Sequence, residues 1–284
     1  MRATTEGEPD ARTIARKLDE DDREFVGALA RGLAVLGLFT PDEPKLTFSE
    51  ICRGSNLPRS SVNRLLGTLL GLEYLAFDEE TRRYMCGPRS MSLGLAALNA
   101  MDVRELVRPH LVTLFRTLDE TISYGVRDRT EVVIAERITT RRVIAVELSV
   151  GSRLPLHSTS MGRCLVSFLP HAERETLIGE LAERETRSSI LALRNGILFA
   201  HQNGYAISNE EFAPGLVAVA MPVWDDNRRL RAAANVALPA FRANSQMLRE
   251  RIVPALAKTA KLISLSFGAS ENWIEGGFRW EQRF

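Results

Sequence analysis

Residues 57–66 read Leu57-Pro-Arg-Ser-Ser-Val-Asn-Arg-Leu-Leu66, and they follow the stretch Thr47-Phe-Ser-Glu50 and the turn Gly54-Ser55-Asn56. Pro58 suits the first turn of a helix, and Val62, Leu65, Leu66, Leu69 and Leu72 then form one apolar stripe. The opposite face carries Arg59, Ser60, Ser61, Asn63 and Arg64. Upstream, Thr47 and Glu50 have the spacing of a capping box, which opens a short helix through Arg53. Before it, Phe25, Leu29, Leu33, Leu36 and Phe39 recur at three- and four-residue spacing, predicting a first helix with that stripe inward, broken by Pro41 and Pro44. Downstream, Tyr74–Phe77 and Arg82–Cys86 are short extended runs joined by Asp78-Glu-Glu-Thr81. Two helices, a turn, a third helix and a hairpin within about 65 residues make a winged helix-turn-helix pattern.

A helix in the major groove needs arginines and short hydrogen-bonding side chains near its N-terminal end, and Arg59, Ser60, Ser61, Asn63 and Arg64 supply them. The alternative is an ordinary solvated helix face. Arg82 and Arg83 on the hairpin favour the first reading, because a basic wing beside such a helix reaches flanking phosphates. Charge moderates it. Phe25–Arg89 holds eight basic and seven acidic residues, so affinity per subunit is modest and binding needs a dimer.

The whole chain is equally balanced. Its 284 residues include 37 Lys plus Arg and 36 Asp plus Glu, a net charge of +1, with 45% hydrophobic and 26% charged residues. These are the proportions of a globular protein of one large or two modest domains, and they exclude wholesale disorder and collagen. Cys52, Cys86 and Cys164 are odd in number and far apart, which fits neither a disulfide framework nor a metal cluster, and a reducing cytoplasm is the default location. No cofactor, metal site or membrane span is expected.

Residues 1–24 hold eight acidic and five basic residues and read as a disordered polar arm. From Ser92 to Leu118 the apolar residues keep helical spacing, predicting a linker helix bent near Pro109 that packs either within its own chain or against a second copy. Strands are predicted at Ile122–Val126, Val132–Ile138 and Val143–Val150, and Gly151–His157 reads as a loop. Helical runs follow near Ser160–Phe168, Glu173–Glu183 and Ser188–Gln202, then strands at Tyr205–Ser208, Leu216–Trp224 and Leu230–Leu238, and a helix from Asn244 to Phe267. This order predicts an α+β fold, an antiparallel sheet covered by helices, in the second half.

Taken together these stretches resemble the IclR family of bacterial transcription regulators. The resemblance rests on Ala30-Arg-Gly-Leu-Ala-Val-Leu36 and Leu57–Leu66 in the first half. In the second half it rests on Gly151-Ser-Arg-Leu-Pro-Leu-His-Ser-Thr-Ser-Met-Gly-Arg163, Gly204-Tyr-Ala-Ile-Ser-Asn-Glu-Glu211, Gly215 and Met221-Pro-Val223. Thr159-Ser-Met-Gly-Arg163 is most similar to the branch controlling aromatic-acid catabolism through the β-ketoadipate pathway. The resemblance implies a winged helix-turn-helix (25–90), a linker and dimerisation helix (91–118) and a GAF-like effector-binding domain (119–268), and the chain departs from it in an aromatic tail (269–284) holding Trp273, Phe278, Trp280 and Phe284. It implies, as partners, palindromic operator DNA, a small organic acid and a second copy of the chain, as a dimer or a dimer of dimers.

Leu154–Arg163 runs from a strand-end loop into a helix start. Ser158, Thr159 and Ser160, with the amides of Ser160 and Met161, form a natural place for a carboxylate, plain helix capping being the alternative. The family pattern places the opposite wall at Ser208, Asn209, Leu216, Ala218, Asn235 and Ala237, with Leu154 beside the helix start. The same Ser158–Ser160 region approaches a nucleophile elbow, the mark of a hydrolase, but Ser158 stands where that strained turn needs glycine, and no catalytic residue is assigned. A domain serving only oligomerisation is the third reading.

Overall fold

The computed structural model describes residues 26–40, 43–140 and 148–270. The predicted N-terminal arm, residues 143–147 of the predicted strand and all but the first two residues of the aromatic tail lie outside them. The chain divides into two compact units at Ala97/Leu98.

The first unit comprises α1 (Gly27–Leu36), β1 (Lys45–Thr47), α2 (Phe48–Ser55), α3 (Arg59–Gly71), β2 (Leu75–Asp78) and β3 (Arg83–Cys86). Thr47 and Glu50 form the full capping box: the Glu50 amide donates to Thr47 Oγ1 at 3.3 Å and the Thr47 amide donates to Glu50 Oε2 at 2.7 Å. α2 ends on Asn56 in the left-handed region. Val35, Ile51, Val62, Leu66 and Leu69 meet in one core, closed by Leu46 and Leu75 from the small antiparallel sheet β1-β3-β2. β1 had no sequence signal beyond three residues.

The inward stripe of α1 is corrected. Leu29 and Leu33 are 61% and 58% exposed, and Val35 is the buried residue of the helix. The stretch Ala-Leu-Ala-Arg-Gly-Leu-Ala-Val-Leu is apolar on more than one side, so spacing alone cannot choose the core face. Val35 joins the core formed by Ile51, Val62 and Leu66, and Leu65 of α3 packs partly buried against it.

The linker is also corrected. Instead of one helix bent at Pro109, α4 (Pro88–Ala100) stops before Asp102, a left-handed residue, and a π-helical turn (Val103–Val107) leads into α5 (Arg108–Leu118). Pro109 sits in the first turn of α5, where its missing N–H costs nothing. α4 buries none of its residues, whereas Val103, Val107, Leu111, Leu114 and Leu118 are all buried in the second unit.

That unit is a six-stranded antiparallel sheet in the order β6-β5-β4-β9-β8-β7. The strands are β4 (Thr121–Asp128), β5 (Glu131–Ile138), β6 (Arg153–Pro155), β7 (Ala206–Asn209), β8 (Leu216–Trp224) and β9 (Leu230–Pro239). The expected loop at Gly151–His157 thus contains a short edge strand, and Val150–Gly151 form a turn before it. One sheet face, with Ile122, Tyr124, Val219, Met221 and Val236, packs against α5 and the last helix, α10 (Val253–Ser266). α10 follows a short α9 (Ser245–Met247) and a π-helical turn, so the single closing helix predicted from Asn244 is broken. The other face, with Val132, Ile134, Ala220 and Ala233, packs against α6 (Ser160–Ser167), α7 (His171–Ala182) and α8 (Arg187–Asn203).

One irregularity positions the site. Tyr124 pairs with Glu136 but Gly125 pairs with Ile134, so Ala135 is an extra residue in β5. A bulge shifts the alternation by one. Beyond it Glu136 turns toward α5, where it meets Arg108 at 2.7 Å, and Arg137 turns to the α6 side of the sheet.

Candidate functional site

In the first unit Arg59, Ser60, Asn63 and Arg64 are exposed along one side of α3, and Ser61 is half-buried beside them. Pro58 starts the helix, its carbonyl accepting from the amides of Ser61 at 2.9 Å and Val62 at 3.0 Å. The Arg59 guanidinium rests over the Phe48 ring, 5.0 Å from its centroid, and Arg64 makes no ion pair among the described residues.

The two wing arginines differ. Arg82, at the hairpin tip, stacks on Phe77 at 5.1 Å and pairs with Glu79 at 2.9 Å, both partners well exposed, so the pair is easily exchanged for a phosphate. Arg83 is engaged inside the unit: it donates to the Lys45 carbonyl at 2.9 Å and lies 3.6 Å from Glu50. The hairpin turn is fixed by Asp78, whose Oδ1 accepts from the amides of Glu80 at 3.1 Å and Thr81 at 3.2 Å. Hydrogen bonds from Thr81, outweighing a small desolvation cost, pull the Asp78 carboxyl down to about 2.

In the second unit a small cavity of about 40 Å³, partly open to solvent, lies between the sheet and the start of α6. Nine of the eleven expected positions line it: Leu154, Thr159, Ser160, Met161, Ser208, Leu216, Ala218, Asn235 and Ala237. The other two do not line it: Asn209 is exposed, and Ser158 lies beside the wall, its carbonyl accepting from Ser208 Oγ at 2.7 Å.

The hydroxyl run divides its duties. Thr159 Oγ1 caps α6 by accepting from the Gly162 amide at 3.1 Å and donates to the Pro155 carbonyl at 2.7 Å, so it is spent on structure. Ser160 Oγ is buried without a hydrogen-bond partner. A buried unsatisfied hydroxyl is costly, and here it faces a cavity at the positive end of a helix. Close packing sets that helix in place: a Cβ on Gly162 would stand 2.4 Å from the backbone of Leu156.

Three lining residues carried no sequence signal that was read: Arg137, Leu148 and Phe212. Arg137 donates to Ser123 Oγ at 3.0 Å, its Nε is buried without an acceptor, and burial lowers its pKa. Phe212 sits in the loop after β7, next to Glu211, which is paired with the buried Arg163. His157 stays outside the cavity, 3.3 Å from Glu185, and burial holds it below the usual histidine range. Cys164 is fully buried within α6, and burial pushes its thiol well up.

A winged helix-turn-helix with a bare polar face, followed by an α+β domain enclosing a cavity, is the build of a ligand-responsive DNA-binding regulator. Residues 28–79 match the IclR helix-turn-helix domain, and residues 95–265 match the C-terminal domain of the bacterial transcriptional regulator IclR. The chain belongs to the IclR family of bacterial transcriptional regulators, and it is a regulator rather than an enzyme. It is 31% identical over 246 residues to the Pca regulon regulatory protein of Pseudomonas putida, covering 84% of each chain. Among solved structures it matches an IclR family transcriptional regulator from Brucella abortus with 30% identity and a TM-score of 0.75, over 87% of this chain and 94% of that one. An IclR homolog from Microbacterium hydrocarbonoxydans, solved in complex with 4-hydroxybenzoate, shares the fold at 24% identity and a TM-score of 0.73, over 86% of this chain and all of the other.

Proposed function

We propose that α3 and the Arg82 wing read operator DNA, that two or four copies of the chain act together on a palindromic site in the cytoplasm, and that a small organic acid in the α6 cavity modulates this binding. An aromatic acid or another β-ketoadipate-pathway metabolite is the effector class. The observation that carries the reading is the cavity itself, where an unsatisfied Ser160 hydroxyl and the half-buried Arg137 project among apolar walls of Leu148, Leu154, Phe212 and Leu216. Such a mixture suits a small ligand with polar ends and a flat or compact apolar middle. The Pca regulator of Pseudomonas putida and the 4-hydroxybenzoate complex support the choice of acids.

The exposed α4, with Met91 73% and Leu93 58% exposed, supplies the pairing surface. A helix that is apolar on several sides and buries none of its residues in its own chain calls for a partner. For the acid to alter DNA binding it must bind one arrangement of the paired modules better than another, and α4, which spans the boundary between the units, is where that difference is passed on.

A gel shift on the DNA upstream of the chain's own gene, with and without 4-hydroxybenzoate, tests the whole reading. Arg64→Ala is expected to abolish operator binding and leave acid binding intact, and Ser160→Ala to do the reverse. Full operator affinity in Arg64→Ala would refute α3 as the reading helix.

A further inference from the structure

Several cations of the second unit are matched to carboxylates. Arg108 meets Glu136 at 2.7 Å, Arg242 meets Glu120 at 2.9 Å, Arg153 meets Asp128 and Glu131, and the buried Arg163 meets Glu211. Arg137 departs from this pattern. Its one hydrogen-bond partner as a side chain is the neutral Ser123 hydroxyl, and no carboxylate lies within ion-pair distance of it among the described residues. Its charge nevertheless stands at the wall of an apolar cavity rather than in open solvent. An uncompensated charge in such a place costs stability that a Gln or Leu would not. The β5 bulge is what puts it there: if Ala135 and Glu136 alternated as in a regular strand, the Arg137 side chain would face α5.

Across the sheet, Arg137 pairs with Ser123 and Ser123 with Asn235, so the three form one row over β5, β4 and β9. The Asn235 Oδ1 already accepts from the Ser123 amide at 3.2 Å, which leaves its amide nitrogen as a second donor on the cavity wall. A guanidinium beside an amide nitrogen is a carboxylate site. The start of α6, by contrast, offers about half a unit of positive charge and one hydroxyl.

We propose that Arg137, helped by Asn235, is the counter-ion of the effector's carboxylate, and that the acid lies with this group on the β5 side and its remaining oxygen toward Ser160. The inference rests on the cavity being the effector site. It reverses the expectation that the acid group sits on α6, and it makes Arg137 the residue that selects acids over neutral analogues.

Titration calorimetry on the full chain tests it, with 4-hydroxybenzoate, benzoate and adipate each set against its uncharged primary amide. The wild type is expected to prefer an acid over its amide by on the order of 100-fold. Arg137→Gln should bring the two within about threefold by weakening the acid alone, and Arg137→Lys, which keeps the charge, should retain part of the preference. In the absence of ligand, Arg137→Gln should melt at or above the wild-type temperature, because it removes an unpaired charge. An acid preference undiminished in Arg137→Gln, or one lost equally in Arg137→Lys, overturns the assignment of Arg137 while leaving the cavity reading intact. A ligand-free melting temperature lower by about 5 °C in both variants overturns it too, by making Arg137 a structural residue. Failure of every acid to bind the wild type overturns the cavity reading and this inference together.

Discussion

At the start of α6 two adjacent hydroxyls of similar chemistry have opposite fates. Thr159 Oγ1 holds the Gly162 amide and the Pro155 carbonyl, while the neighbouring Ser160 Oγ is buried with nothing to bond. Thr159→Ala is therefore expected to lower the unfolding free energy of the second unit by about 1–2 kcal/mol, the cost of a lost cap. Ser160→Ala should leave it within about 0.5 kcal/mol, since no bond is lost. Urea unfolding of the two variants distinguishes them, and equal losses would contradict the division of roles. In the wing, Asp78 titrates near 2 when folded, below its ordinary 3.8, because Thr81 and Lys45 bond its charged form. A depressed carboxylate stabilises fully above its unfolded value and loses that contribution as the pH falls through the folded one. Order in the hairpin should thus persist at pH 5 and fade between about pH 4 and 2, and Asp78→Asn should abolish this part of the acid sensitivity, as amide shifts of Glu80 and Thr81 would report.

Elements were legible where a local rule had one solution. The capping box at Thr47 and Glu50, the Pro58 start of α3 and the turn ending on Asn56 each follow from side-chain chemistry within four residues. The failures share a cause, which is that a long-range contact chose between locally equivalent options. α1 is apolar on more than one side, and packing against α3 selected the face with Val35 over the one with Leu29 and Leu33. Asp102 breaks the linker because Val103 and Val107 are drawn into the core beneath the sheet. Most of the cavity lining was legible through the family pattern, whereas Arg137 was hidden by the bulge at Ala135, which no alternation of apolar residues announces. Gly162 is the element-scale counterpart of these contacts. Its missing side chain lets α6 lie against the backbone of Leu156, so Gly162→Ala should cost about 2–4 kcal/mol and displace the helix start from the cavity. A thermal melt within 1–2 °C of the wild type would contradict that packing.

For the molecule as a whole the question is how a chain with a net charge of +1 holds a polyanion. The first unit does not solve it by bulk charge. Lys45, Arg83 and Arg89 are paired with Asp78, Glu50 and Glu73, and of the remaining exposed arginines the proposed reading face uses Arg59 and Arg64 on α3, with Arg82 of the exposed Glu79 pair at the wing tip. About three phosphate contacts per copy, at about 0.9 counterions each, give a dimer a log-log salt slope near −5. Two modest half-site affinities then combine because the second binding event is intramolecular. In the proposed dimer both quantities depend on the pairing of α4, on which Met91 and Leu95 lie one helical turn apart and exposed. Replacing both with Glu is expected to convert the chain to a monomer in sedimentation, to halve the salt slope to about −2.5 and to weaken operator binding by on the order of 100-fold, while each unit melts as before. A dimer that survives the double substitution would move the pairing surface elsewhere, and the exposed Leu29 and Leu33 of α1 would be the next face to change. A wild-type slope near −10 would mean that as many contacts again come from outside α3 and the wing.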